Sequence, residues 1–233
     1  MHEIGHGIGI RHLDSSNTGQ LMEPFINTSF YGPQHDDIRA AQRYYGDALE
    51  KSGGNDDIGT ATSLGTFAGP LETFSVGTDA DDSTSQILST ESDFISIDGT
   101  SDTDVFSFSL SGAFNFNISI LMDPQGPTYN EGSQGGSESA FNTKTLSDLQ
   151  LELLDSFGGI IIAADANAEG FSELINTVLA PGDYFARVSS AIGADDDVQM
   201  YRLDISAQAV PEPNSLAFLG LGGLLLLRRR RRA

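Results

Sequence analysis

Residues 2–12 read His-Glu-Ile-Gly-His-Gly-Ile-Gly-Ile-Arg-His and gather three of the chain's four histidines. His2 and His6 are four apart, so on a helix they share one face, a turn apart, and can hold one metal ion together. Glu3 is rotated away from that pair. In zinc-assisted hydrolysis a glutamate so placed is not a ligand but takes a proton from the attacking water. Gly9 lets the chain leave the helix, because glycine tolerates positive φ where other residues are strained. The turn it permits brings His12 back as a third ligand. Three neutral imidazoles leave the fourth zinc position to water, which marks a catalytic rather than a closed structural site.

The pattern H-E-x-x-H-x-x-G-x-x-H resembles the zinc site of metzincin proteases. Downstream, Gln20-Leu21-Met22-Glu23-Pro24 looks like their Met-turn, in which a methionine packs beneath the metal. Asp36 to Gly46 has a helix start, apolar spacing at Ile38, Ala41 and Tyr45, and a glycine stop. That block is similar to the last helix of matrixins. The resemblance implies that His2, His6 and His12 bind Zn²⁺, that Glu3 is the general base, and that Met22 is the Met-turn residue. His35 matches no ligand position and reads as a loop or helix-entry residue.

A matrixin catalytic domain is a twisted sheet with two helices, and its active-site helix starts well before the first zinc histidine. Neither that start nor the sheet lies in residues 1–50, and the sheet would include the edge strand that pairs with substrate. Fifty residues could not bury enough apolar surface to fold alone. No charged n-region and apolar h-region open the chain. Residues 1–233 are therefore expected to be N-terminally incomplete and to hydrolyse little or no peptide by themselves. The alternative is a truncated protein with a vestigial zinc motif.

At the other end, Val210-Pro211-Glu212-Pro213 precedes an apolar run, Leu216 to Leu227, and five arginines, Arg228 to Arg232. This tripartite arrangement resembles the PEP-CTERM sorting signal of Gram-negative bacteria, which implies processing by a dedicated sorting enzyme. Twelve apolar residues make a helix of about 18 Å against a hydrocarbon core of roughly 30 Å. The segment is expected to insert in the membrane at least transiently, with snorkelling arginines on the cytoplasmic side and the rest of the chain outside.

Between the ends the pattern is β. Ser52 to Asp57 reads as a flexible polar linker. Phe106, Phe108 and Leu110, then Phe114, Phe116, Ile118 and Ile120, alternate with polar residues across a break at Ser111-Gly112-Ala113. This reads as an antiparallel hairpin with one buried face. Leu149, Leu151 and Leu153, then Tyr184, Ala186 and Val188, then Tyr201, Leu203 and Ile205 continue the alternation, and Ile160 to Ala163 is a fully apolar short strand. Strands of this length between Gly, Asp and Ser turns predict a β-sandwich. Asp102 to Phe108, Leu149 to Gly158 and Ala180 to Phe185 resemble the bacterial pre-peptidase C-terminal domain, a sandwich appended to secreted proteases. The insert Asp123 to Asp148, rich in Gly, Ser and Asn, reads as a mobile loop.

The net charge is −21, and residues 55–207 carry 25 Asp and Glu against three Lys and Arg. That field argues against nucleic acid and for a soluble extracellular region. The absence of cysteine excludes disulfides, thiolate metal sites and cysteine catalysis. Asp79-Asp81-Asp82, Asp102-Asp104 and Asp195-Asp196-Asp197 are candidates for Ca²⁺, weighed against solvated turns.

The expected architecture is multidomain. A truncated α+β metzincin remnant, mostly helical, occupies 1–50, and a linker 51–57. An all-β antiparallel sandwich follows at 58–208, and a sorting segment with a short hydrophobic helix at 209–233. The favoured function is a zinc metalloendopeptidase, exported and sorted to the cell envelope, acting on extracellular proteins or peptides. The competing readings are a non-catalytic envelope protein whose sandwich binds partners or polysaccharide, and an acidic calcium-dependent matrix component.

Overall fold

Alternating apolar side chains build the chain's hydrophobic core from two stacked sheets, with a third, three-stranded sheet beside them. The computed structural model describes residues 1–17, 19–50, 54–78, 87–88, 90–112, 115–192 and 197–210. The first fifty residues hold α1 (His2–Gly7), β1 (Leu13–Asp14) and α2 (His35–Tyr45). Then follow β2 (Thr62–Phe67), β3 (Leu71–Val76), β4 (Ile95–Ile97), β5 (Thr103–Leu110), β6 (Phe116–Pro124), β7 (Thr128–Ser133) and β8 (Ser139–Asn142). The series ends with β9 (Asp148–Leu154), β10 (Ile160–Ala164), β11 (Glu173–Leu179), β12 (Gly182–Ile192) and β13 (Gln199–Ala209).

One sheet runs β10-β9-β12-β5-β2; the other runs β11-β6-β13-β3, with β4 also on β13. Their inner faces meet through Phe106, Phe108, Ile118, Ile120, Leu151, Leu153, Leu203 and Ile205, none more than 2% exposed. Each such side chain contributes about 1.5–3 kcal/mol on leaving water, which makes this the dominant stabilising layer. Tyr201 is fully buried among them and donates its hydroxyl to Asp104 Oδ2 at 2.6 Å.

Several expectations need correction. The opening segment is not mostly helical: α1 has six residues and α2 eleven, and loops with one short strand make up the rest. Pro24 and Pro33 cannot sit in a helix interior, and Gly9 and Gly32 adopt positive φ, so the chain between the helices must turn, while Gly46, also at positive φ, ends α2. The sandwich is not wholly antiparallel, because β2 pairs with β5 in parallel. β5 and β6 do not form a hairpin: β5 pairs with β12 and β2, β6 with β11 and β13, so the turn crosses from one sheet to the other. Alternation fixes which face is buried, not which strand is the neighbour.

The insert expected as a loop contains β7 and β8, which pair with each other and, through β7, with β1. The apolar run at Ile160 is an edge strand, with Ile160 and Ile161 exposed. No helix among the described residues is long and apolar enough to cross a membrane, and the predicted hydrophobic helix at Leu216–Leu227 lies outside them. So do Phe114, Asp79, Asp81, Asp82, Asp195 and Asp196.

Candidate metal centre

α1 begins at Met1, whose carbonyl accepts the Ile4 and Gly5 amides at 2.8 and 3.1 Å. Its end is a left-handed turn: Gly9 has φ +99°, and the Gly9 and Ile10 amides fold back on the His6 and Gly5 carbonyls at 3.1 and 3.0 Å. This reversal returns His12 to the face that carries His2 and His6. The Nε2 atom of His12 lies 3.0 Å from that of His2 and 3.0 Å from that of His6.

The other ring nitrogens decide the protonation pattern. His2 Nδ1 meets the Leu21 carbonyl at 2.6 Å, His6 Nδ1 the Ile10 carbonyl at 2.9 Å, and His12 Nδ1 the Gln134 Oε1 at 3.0 Å. All three partners only accept, so each Nδ1 carries the hydrogen and donates it. In the neutral imidazoles the three Nε2 lone pairs then converge on one point, which repels unless a cation sits among them. Two nitrogens at about 2.0–2.1 Å from a tetrahedral zinc stand roughly 3.3 Å apart, so the donor set and its spacing fit Zn²⁺.

Met22 is fully buried and its thioether packs on α1 at Gly5, between the two helical ligands. Its neighbour Leu21 supplies the carbonyl that orients His2. The Leu21 amide is in turn held by Asp37 Oδ2 at 3.2 Å, and the same oxygen accepts the Gln34 amide at 2.8 Å at the start of α2. Burial pushes the Asp37 carboxyl up to about 6. Tyr45, at the end of α2, donates to the Ile8 carbonyl at 3.1 Å. Glu3 is exposed. His35 is not a ligand; it is buried at the start of α2, with its ring 6.3 Å from that of Tyr129.

A second group of oxygens gathers where the chain after α2 meets the connection between β4 and β5. Carboxylate oxygens of Glu50, Asp98 and Asp102 lie within 4.8 Å of one another. Burial and the Asp102 charge push Glu50 up to about 7; burial, and to a lesser extent the Asp98 charge, push Asp102 up to about 6. Asn55, from the stretch expected as a polar linker, is fully buried, and its side chain lies against the Asp104 carboxyl. Of the aspartates singled out in the sequence, Asp102 belongs to this group, while Asp104 turns inward to Tyr201. Glu50, Asp98 and Gln134 were not foreseen, for they are scattered in sequence and form no motif.

Residues 102–190 match the family model of the bacterial pre-peptidase C-terminal domain, and residues 209–232 that of the PEP-CTERM protein-sorting motif. The chain carries both modules. The pre-peptidase C-terminal match includes the β7–β8 hairpin and omits β2, β3, β4 and β13. The PEP-CTERM motif marks the protein for export and sorting to the envelope, and implies recognition by a sorting enzyme. No curated protein matches the chain. Among solved structures it is similar to the pre-peptidase C-terminal domain of a Bacillus anthracis collagenase, at 18% identity over 62% of this chain and 93% of that one, with a TM-score of 0.33. An insecticidal delta-endotoxin from Bacillus thuringiensis is similar at 10% identity over 52% of this chain and 20% of that one, with a TM-score of 0.32.

Proposed function

We propose that residues 1–46 are the zinc-binding part of a metzincin, matrixin-like metalloendopeptidase, delivered to the envelope to hydrolyse peptide bonds of extracellular proteins. The observation that carries this reading is the convergence of three imidazole lone pairs, each fixed by an Nδ1 hydrogen bond. His2, His6 and His12 would hold Zn²⁺, which supplies a Lewis acid for the scissile carbonyl and lowers the pKa of water. Glu3, exposed on α1, takes the proton of the attacking water and returns it to the leaving amine. Met22 sets the depth at which α1 sits, and Leu21 the orientation of His2.

The test is Glu3→Gln in the protein as its source cells make it. The variant is expected to keep one equivalent of zinc and to lose chelator-sensitive peptide hydrolysis. Unchanged turnover would remove Glu3 from the mechanism, and absence of bound zinc would remove the reading altogether.

Calcium is a second proposal, favoured by the carboxylate cluster. Three carboxyl groups whose oxygens lie within 4.8 Å of one another suit a hard cation that takes several oxygens. Glu50, Asp98 and Asp102 would supply them.

A further inference from the structure

The third zinc ligand is oriented by the β7–β8 hairpin, which forms a three-stranded sheet with β1 apart from the two sheets of the sandwich. β1 and β7 run antiparallel with Leu13 opposite Ser133 and Asp14 opposite Gly132. Extending that register by one pair sets His12 opposite Gln134, so the 3.0 Å contact between His12 Nδ1 and Gln134 Oε1 is a cross-strand pair dictated by the pairing. The hairpin tip is pinned on both sides of Gln134. Gly135 has φ +73°, the Gly136 amide closes on the Ser133 carbonyl at 2.7 Å, and Asp14 Oδ2 accepts the Gly135 amide at 2.6 Å.

Four more bonds clamp the chain just after His12 to the same hairpin. Ser15 Oγ donates to the Asn130 carbonyl at 2.5 Å, and the Ser16 amide to Glu138 Oε2 at 2.8 Å. The Asn130 amide donates to Asn17 Oδ1 at 2.6 Å, and Asn130 Nδ2 to Ser16 Oγ at 3.2 Å. The other two imidazoles lean on main-chain carbonyls of their own segment; His12 alone of the three leans on a side chain from the β7–β8 hairpin.

We infer that Gln134 is a positioning residue for the metal centre, so that the pre-peptidase C-terminal domain sets the tautomer and aim of His12 and with them the affinity for zinc. This rests on the zinc reading above. Accepting the Nδ1 hydrogen keeps the Nε2 lone pair toward the metal and raises the basicity of the ring. The matched domain, through its β7–β8 hairpin, is then part of the site and not only a targeting module.

The experiment measures zinc affinity by chelator competition, with the d–d absorption of the Co²⁺-loaded protein, for the full chain and for Gln134→Ala and Gln134→Glu. Gln134→Ala is expected to weaken zinc about 10–100-fold and to alter the Co²⁺ spectrum. Gln134→Glu restores an acceptor and is expected to recover wild-type affinity or better. Loss of affinity in both variants alike would mean that Gln134 only holds the hairpin, and would overturn the inference. So would unchanged affinity in Gln134→Ala with a wild-type spectrum, while leaving the zinc reading intact. A wild-type chain that takes up no zinc would overturn both. Nitrogen NMR of the His12 ring adds an independent readout: the Nδ1–H tautomer is expected in the wild type and in Gln134→Glu, and a mixture in Gln134→Ala.

Discussion

Met22 occupies the space that a side chain on Gly5 would need. A Cβ added at Gly5 would run into the Met22 sulfur, and Met22 is fully buried, so it has nowhere to retreat. Gly5→Ala gains up to ~1 kcal/mol of helix propensity but overpacks the site by about 1–3 kcal/mol, so a net loss of stability is expected. Zinc affinity should fall with it, because His2 and His6 flank the displaced turn. Gly7→Ala is the control: nothing lies within 4 Å of its added Cβ, and it should be neutral or stabilising. Denaturant melts of both variants, and of Gly5→Ala combined with Met22→Ala, check this. The double variant should lose less than the two single losses summed, because the second change vacates the space that the first one needs.

Acid should act on the junction between α2 and the β7–β8 hairpin through His35. Burial, aided by the Arg39 charge, lowers this imidazole from 6.5 to about 3, and neither ring nitrogen is hydrogen-bonded. A group with a depressed folded pKa contributes stability that is present above its unfolded value and is lost as pH falls. The His35 contribution is therefore whole above about pH 6.5 and declines progressively toward about pH 3. Asp37 runs the other way: raised from 3.8 to about 6 by burial, it loses its contribution as pH rises through that window. Because the two oppose, the clean quantity is a difference between variants. The stability of His35→Leu relative to wild type should rise steadily from pH 7 to pH 4.5 in urea melts. A pH-independent difference would mean that His35 is not buried as a neutral ring.

Arg39 joins α2 to the β7–β8 hairpin and to the chain that leads into β13. Its Nε donates to the Val198 carbonyl at 3.3 Å and its Nη1 to the Tyr129 hydroxyl at 3.1 Å, while the guanidinium carbon lies 4.7 Å from the centre of the Phe141 ring. Lysine keeps the charge but not the fork or the stacking. Arg39→Lys is expected to cost about 1–2 kcal/mol and to speed amide hydrogen exchange in β7 and β8 more than in β5 or β6. Uniform exchange across all four strands would place the loss elsewhere.

These junctions mark the boundary of what the sequence makes legible. His2, His6, His12 and Gly9 can be read because a helix turn and one left-handed glycine bring them together within eleven residues. The strands could be read for the same reason, since alternation in Phe106–Leu110 or Leu149–Leu153 is a local property of an extended backbone. Strand partners could not: β5 and β6 carry the same pattern, yet sit in opposite sheets. Gln134 was hidden more deeply, because its meeting with His12 depends on the register between segments about 120 residues apart. Its own surroundings, rich in Gly and Ser, looked like a loop. Glu50, Asp98 and Asp102 were hidden likewise, three acidic residues in a chain full of them, until the fold brought the segment after α2 to the connection between β4 and β5.

That last group gives a prediction with opposite signs in two conditions. Near neutral pH and without calcium, Glu50, Asp98 and Asp102 repel one another, and burial deepens the cost of their charges. Asp98→Asn removes one charge while leaving the Asp98 amide free to donate to Asp102 Oδ2 at 2.7 Å. In chelator the variant should therefore melt above wild type. With calcium the order should reverse, because the wild type gains about 2.7 kcal/mol when free calcium is a hundred times the dissociation constant and the variant gains much less. Thermal melts of both proteins with calcium and with chelator decide the matter. Melting temperatures that do not respond to calcium in either would leave the cluster as buried acid alone.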